Sequence, residues 1–198
     1  MGSGSVGPVT LPPIIAVLGV PGAGKSTQAK AVARGLGGVS ASVGDWLRAL
    51  AAAGDKDAAS TVAAGSPITP AQYERFLRHI RDEVPASALV LDGSPRDERH
   101  VPVLADALAD DGLVFGVLLR LPTGVAESRI QVRRSSAPTD RPDDSTEAAA
   151  RRIADQTAAL TRLAESFEAR WPLVTIDATE DESLVTRRIL ESLPEGWA

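Results

Sequence analysis

Two kinds of apolar run alternate along the chain, and their alternation predicts the architecture. Ile14 to Gly19 (IIAVLG) is continuously apolar, which is the pattern of a strand buried on both faces. Ala88–Asp92 (ALVLD), Leu113–Arg120 (LVFGVLLR) and Pro172–Asp177 (PLVTID) have the same character. Between these runs the apolar residues recur at helical spacing. KSTQAKAVARGL follows the first strand after a glycine loop. TPAQYERFLRHIRDEV opens with Thr69 as N-cap and Pro70 at the first helical position. DDSTEAAARRIADQTAALTRLAESFEARW is long, Ala-rich and amphipathic, and DESLVTRRILESL closes the chain. Buried strands separated by helices predict an α/β protein, with a parallel sheet flanked by helices on both faces. MGSGS has the composition of a tag, and the Pro-rich lead-in is expected to be poorly ordered, so residues 1–12 are set apart. Residues 13–198 are expected to form one domain, without an internal repeat or a long linker.

Composition narrows the class. The 198 residues suit a single core, and 43% hydrophobic with 24% charged residues is ordinary for a globular protein. A net charge of -5 argues against a broad nucleic-acid surface. The absence of cysteine excludes disulfides and Cys-ligated zinc. No apolar run reaches membrane-spanning length and no signal-peptide pattern is present, so a cytoplasmic protein without a membrane partner is expected. Lys25, Lys30 and Lys56 are the only lysines among 21 basic residues. That bias reads first as the nucleotide composition of the source genome, yet it makes Lys25 stand out from surface filler.

Lys25 lies in GVPGAGKS, from Gly19 to Ser26, which fits G-x-x-x-x-G-K-[ST] between a predicted strand and a predicted helix. Glycines let backbone N–H groups turn inward around an anion, and the following helix adds its dipole. Gly19, Gly22, Ala23, Gly24, Lys25, Ser26 and Thr27 are therefore the candidate nucleotide-phosphate contacts. Lys25 would reach the outer phosphates, and Ser26 would stand beside Mg²⁺. The plain alternative is a glycine turn joining strand to helix. Such a loop serves ATPases, GTPases and small-molecule kinases alike, so it does not name a reaction.

Three further stretches do. GVPGAGKSTQ, LDGSPR (Leu91–Arg96) and RPDDSTEAAARR (Arg141–Arg152) follow in that order, and GDWLR (Gly44–Arg48) lies between the first two. Together they resemble the nucleoside monophosphate kinase family, adenylate kinases above all, over nearly the whole chain from about Pro13. The family patterns are G-x-P-G-x-G-K-x-T-Q, G-D-[ML]-L-R, D-G-[FY]-P-R and R-x-D-D with an arginine eleven residues after the first. The resemblance implies a P-loop-type fold with a small acceptor-binding helical insert, roughly residues 41–84, and a short lid, residues 134–143. It implies ATP as donor, Mg²⁺, a monophosphate acceptor (AMP first) and a monomer.

It also implies roles. Lys25, Arg96, Arg133, Arg141 and Arg152 would be catalytic, stabilising charge on the moving phosphoryl group. Phosphoryl transfer suits this arrangement, because its loose transition state needs positioning and positive charge more than covalent help. Arg129 would lie against the ATP base. Arg48 and Arg96 would hold the acceptor phosphate, with Gly93, Arg141 and Arg152 nearby. Gly65 and Ile68 match backbone contacts near the acceptor base. Asp92, ending an apolar strand, would hold Mg²⁺ through water together with Ser26. Asp143 and Asp144 would steady the lid, cap the long helix, or both. Arg134 and Arg151 read as a solvated helix face.

The match weakens on the acceptor side. Val43 stands where a threonine is usual, Ser94 replaces an aromatic residue, and His100 replaces a glutamine that reads the adenine edge. A histidine presents its donor and acceptor on a different geometry and can charge. Either the acceptor is altered, or His100 is a surface helix residue and AMP is held by phosphate and backbone contacts. Trp46 either narrows the pocket or packs in the core, the core being the plainer reading. Two alternatives therefore accompany an AMP kinase. One is the same ATP machinery acting on another phosphorylated small molecule in specialised metabolism. The other is a non-catalytic nucleotide-binding module, which need not have kept these arginines. A shikimate- or gluconate-type kinase would have no use for DGSPR or RPDD.

Overall fold

The computed structural model describes residues 12–64, 66–83, 88–108, 113–136, 157 and 159–197. Five strands form one sheet: β1 (Ile14–Gly19), β2 (Val39–Ser42), β3 (Leu89–Asp92), β4 (Val114–Arg120) and β5 (Leu173–Asp177). Their order is β2-β3-β1-β4-β5, and every pairing is parallel. The helices are α1 (Lys25–Gly35), α2 (Val43–Ala52), α3 (Lys56–Ala64), α4 (Pro70–Glu83), α5 (His100–Leu108), α6 (Thr123–Ser136), α7 (159–168) and α8 (Glu182–Ser192). The predicted fold is thus the observed one.

Strand β1 shows why a continuous apolar run was needed. Ile14, Ala16 and Leu18 enter a core shared with α2, α3, α4, α5 and α7. Ile15 and Val17 enter a second core with α1, α6 and α8 on the opposite face. Each fully buried aliphatic side chain of this kind contributes about 1.5–3 kcal/mol.

The polar strand β2 (VSAS) escaped the apolar pattern. It pairs only with β3, from Val39↔Leu89 to Ser42↔Asp92, and an edge strand partly open to solvent needs no apolar run. The region taken as acceptor-binding from residue 41 therefore begins with the end of this strand, before α2.

Helix α4 starts as its sequence requires. Thr69 Oγ1 accepts from the Gln72 backbone N–H at 3.2 Å, and the Thr69 N–H donates back to Gln72 Oε1 at 3.0 Å. This is a reciprocal capping box. The Gln72 amide also donates to Asp57 Oδ2 and Thr61 Oγ1, both at 2.8 Å, tying α4 to α3. The long helix expected from residue 143 is described only in its later part, as α7. Residues 1–11, the lid segment from residue 137 and the RPDD motif lie outside the described residues.

Candidate active site

The C-terminal ends of β1 and β3 are neighbours, since Val17 pairs with Asp92. The two loops that leave them therefore emerge side by side, about 4.8 Å apart at the strands. The first is the glycine loop into α1. The Ala23 N–H donates to Val20 O at 3.2 Å, which closes the loop. The loop rests on α6, where a β-carbon at Gly22 would come within 2.7 Å of the Ala126 carbonyl oxygen. Gly24 is the N-cap of α1, with no side-chain cap, and a β-carbon there would meet nothing within 4 Å. A helix N-terminus without a side-chain cap leaves backbone N–H groups that an anion can satisfy. Lys25 folds over the loop, donating from Nζ to the carbonyls of Gly19 at 2.8 Å and Val20 at 2.9 Å. Ser26 and Thr27 follow it, both exposed.

The second loop runs from Gly93 to Arg99. Its first N–H donates to Val17 O at 3.0 Å, pinning it to β1. Gly93 has φ +60, and a β-carbon there would lie 3.0 Å from Lys25 Cε. Arg96 Nε donates to the Gly93 carbonyl at 3.1 Å. The Ser94–Pro95 bond is cis. Lys25, Gly93 and Arg96 thus form one continuous strip.

Helix α2 brings the next cation. Arg48 is ion-paired with Asp45 on the same helix. A β-carbon on Gly44 would lie 3.5 Å from a guanidinium nitrogen of Arg48 and 3.5 Å from one of Arg96. Two arginines from separate elements therefore meet over a residue without a side chain. Paired guanidinium groups in such a clearing suit the oxygens of a phosphate. The motif Gly-Asp-x-Leu-Arg was visible in the sequence, but only the fold shows that its glycine floors the pair.

Asp92 ends β3, nine-tenths buried. Its carboxylate and the Ser26 hydroxyl are hard oxygen donors of the kind Mg²⁺ takes alongside substrate phosphates and water. No group of three or more acidic, histidine or cysteine side chains gathers as a metal cage among the described residues.

The remaining expected residues divide. Ile68 and Val43 are buried behind the α2–α4 wall, and Trp46 packs on Phe76 in the core. Arg129 sits partly exposed on α6. Arg133 also belongs to α6, but its side chain, with Gly65, Arg141 and Arg152, lies outside the described residues. His100 is not a surface helix residue. It is 1% exposed, its Nε2 lies 3.0 Å from the Ile68 carbonyl oxygen, and its ring packs 4.8 Å from that of Tyr73. Burial holds its pKa below the usual imidazole range. Gln28, the last residue of the loop motif, faces away from the site. Its amide donates to Glu182 O at 3.1 Å and accepts from Thr186 Oγ1 at 2.7 Å, joining α1 to α8.

A family model described as an AAA domain matches residues 18–150. The adenylate kinase of Agrobacterium fabrum is 31% identical over 192 residues, covering 91% of this chain and 97% of that protein. The adenylate kinase of Parvibaculum lavamentivorans is 34% identical over 185 residues, covering 87% and 88%. That of Thermobifida fusca is 28% identical over 183 residues, covering 90% and 97%. Among the described residues no helix is long and apolar enough to cross a membrane.

Proposed function

The chain belongs to the adenylate kinase family of nucleoside monophosphate kinases, and from that premise we propose that it moves the γ-phosphoryl group of Mg-ATP onto AMP, giving two ADP. The observation that carries this reading is the strip Lys25–Gly93–Arg96 continuing to Arg48 over Gly44. A donor-phosphate loop and an arginine pair suited to a second phosphate stand one glycine apart.

In the reaction a phosphate oxygen of the acceptor bonds to the γ-phosphorus as the bond to the β,γ-bridging oxygen breaks. The loop N–H groups and Lys25 hold the donor phosphates. Arg48 and Arg96 orient the acceptor phosphate, and Arg96 also faces the transferring group. Lys25 leaves the Gly19 and Val20 carbonyls to reach the phosphates, exchanging two neutral acceptors for charged ones. Ser26 and Asp92 would hold Mg²⁺, which would supply positive charge against the donor phosphates. By the family resemblance, Arg133, Arg141 and Arg152 add charge from the lid side and Arg129 lies along the ATP base. Closure of residues 134–143 excludes water, which would otherwise compete as acceptor. The working unit is residues 13–198, acting as a cytoplasmic monomer.

Val43, Ser94 and His100 favour a second reading, in which the same donor machinery serves another phosphorylated acceptor. All three are buried, so the wall behind the acceptor differs from the family pattern in substance and not only at its rim. A coupled ADP-release assay with Mg-ATP against AMP, CMP, UMP, GMP and dAMP decides. Turnover strongest on AMP supports the first reading. Silence on all five, with ATP still bound, overturns it in favour of the second.

A further inference from the structure

Among the described residues, the buried polar atoms Tyr73 Oη, Ser94 Oγ and His100 Nδ1 find no hydrogen-bond partner, and all three belong to one cluster between α4, the Gly93–Arg99 loop and the start of α5. Tyr73 links the group, because its ring lies against His100 and its hydroxyl lies beside Ser94. Tyr73, Ser94 and His100 are each at most 1% exposed. A side chain sealed in this way does not present an edge to a base.

The hydrogen bond of the His100 ring shows what it does instead. Its partner, the Ile68 carbonyl, lies just outside α4. The N–H that would otherwise approach it there, that of Gln72, is engaged by Thr69 Oγ1. A carbonyl oxygen only accepts, so Nε2 carries a proton, and burial favours the neutral ring in which Nδ1 is the bare nitrogen. His100 N–H in turn donates to Asp97 O at 3.0 Å. The loop carrying Arg96 is thereby tied through His100 to the segment 66–69, which the capping box clamps from the other side.

We infer that His100 is a positioning residue of the acceptor site, a neutral strut that fixes segment 66–69 against the loop carrying Arg96 and makes no contact with the acceptor itself. This rests on the acceptor phosphate lying at the Arg48–Arg96 pair. Charging the ring would keep the Nε2–H but would bury a second N–H at Nδ1, where the described residues offer no acceptor. The ionisable groups around it are Tyr73 from α4 and Arg96, Asp97 and Arg99 from its own loop. Burial is the main influence against a charged ring, Arg99 and Arg96 add to it, and the Ile68 hydrogen bond and Asp97 favour one. Glutamine can supply the same N–H and never titrates; leucine fills the space and supplies none.

The test compares wild type, His100→Gln and His100→Leu with the acceptor found by the nucleotide panel. His100→Leu should raise the acceptor KM about tenfold, the effect of losing a buried hydrogen bond, with the ATP KM unchanged. His100→Gln should stay within about threefold of wild type at neutral pH, since it keeps the donor. Between pH 7.5 and 5.5 wild type should track His100→Gln in acceptor kcat/KM within about threefold, because burial disfavours charging the ring, and a loss of about tenfold in wild type alone would overturn the sealed strut. A change in the ranking of acceptor bases in His100→Gln would mean that His100 reads the base, and would overturn the proposal. The chain has 2 histidines, so imidazole ¹⁵N NMR of the wild-type protein resolves the tautomer without an activity assay. A neutral Nε2–H ring for His100 supports the strut, and a Nδ1–H ring overturns it. If no nucleotide is phosphorylated, the functional reading falls, and the tautomer still decides the role of His100.

Discussion

Replacing Gly93 by alanine tests whether Lys25 and the acceptor loop work as one unit. Two costs arise, and they can be separated. The first is backbone strain: φ is +60 at Gly93, where an alanine costs about 1–2 kcal/mol. In a chain of this size about 1 kcal/mol lowers Tm by about 2–4 °C. The second is displacement. The new β-carbon would stand 3.0 Å from Lys25 Cε, whereas carbon atoms settle at about 3.5–4.0 Å. Lys25 must therefore give by a few tenths of an ångström. A misplacement of about 1 Å in a positioning group costs up to about 100-fold in rate, so this smaller shift should lower kcat by up to about tenfold. Gly54→Ala supplies the control. Gly54 also has positive φ, +92, but a β-carbon there meets nothing within 4 Å. Both variants should lose a few degrees in a thermal melt. In the coupled ADP-release assay at saturating substrates, only Gly93→Ala should lose turnover. Equal turnover in the two variants would show that the position of Lys25 over this loop does not matter, and the reading of the strip would be wrong.

Other substitutions bear on the same site. Lys25→Ala should lower kcat about 100- to 1,000-fold, the worth of one transition-state donor, with Tm nearly unchanged; near-normal turnover in steady-state kinetics would remove Lys25 from the site. Arg96→Ala should raise acceptor KM and lower kcat together, whereas Arg48→Ala should act mainly on KM, because Arg96 alone also contacts the strip at Gly93. A double-mutant cycle of the two arginines should be non-additive if they hold one phosphate over Gly44. Gln28→Leu should cost about 1–3 kcal/mol by unpairing polar groups of α8, lowering Tm while leaving kcat within about twofold; a large kcat loss at unchanged Tm would make Gln28 a site residue after all.

Local chemistry was readable from the sequence, and long-range placement was not. The strand–loop–helix around Lys25, the apolar strands and the Thr69 cap follow from neighbours within a few positions, and all appear as expected. The cap was only half seen, since Gln72 three residues on completes it. Strand β2 was missed because an edge strand of alternating small and polar residues carries no apolar signal. His100 was misplaced as a possible surface residue because its burial comes from Tyr73 and Ile68, 27 and 32 positions away. Gln28 lay in the motif, but its partners stand on the last helix. The meeting of Arg48 and Arg96 over Gly44 likewise depends on two segments that only the fold brings together.

The sheet divides the interior into two cores that share no residue in full burial. One contains the buried residues of α2, α3 and α4 behind the acceptor side, and the other those of α1 behind the donor loop. A substitution that reshapes the first core reaches the second through strand backbones and through the half-buried Leu160, which packs against both. Such a partition lets lineages remodel what accepts the phosphoryl group while inheriting unchanged the apparatus that delivers it. Val43, Ser94 and His100 stand on the acceptor side of that divide or in the loop beside it, while the sequence from Gly19 to Gln28 keeps the family pattern without a departure.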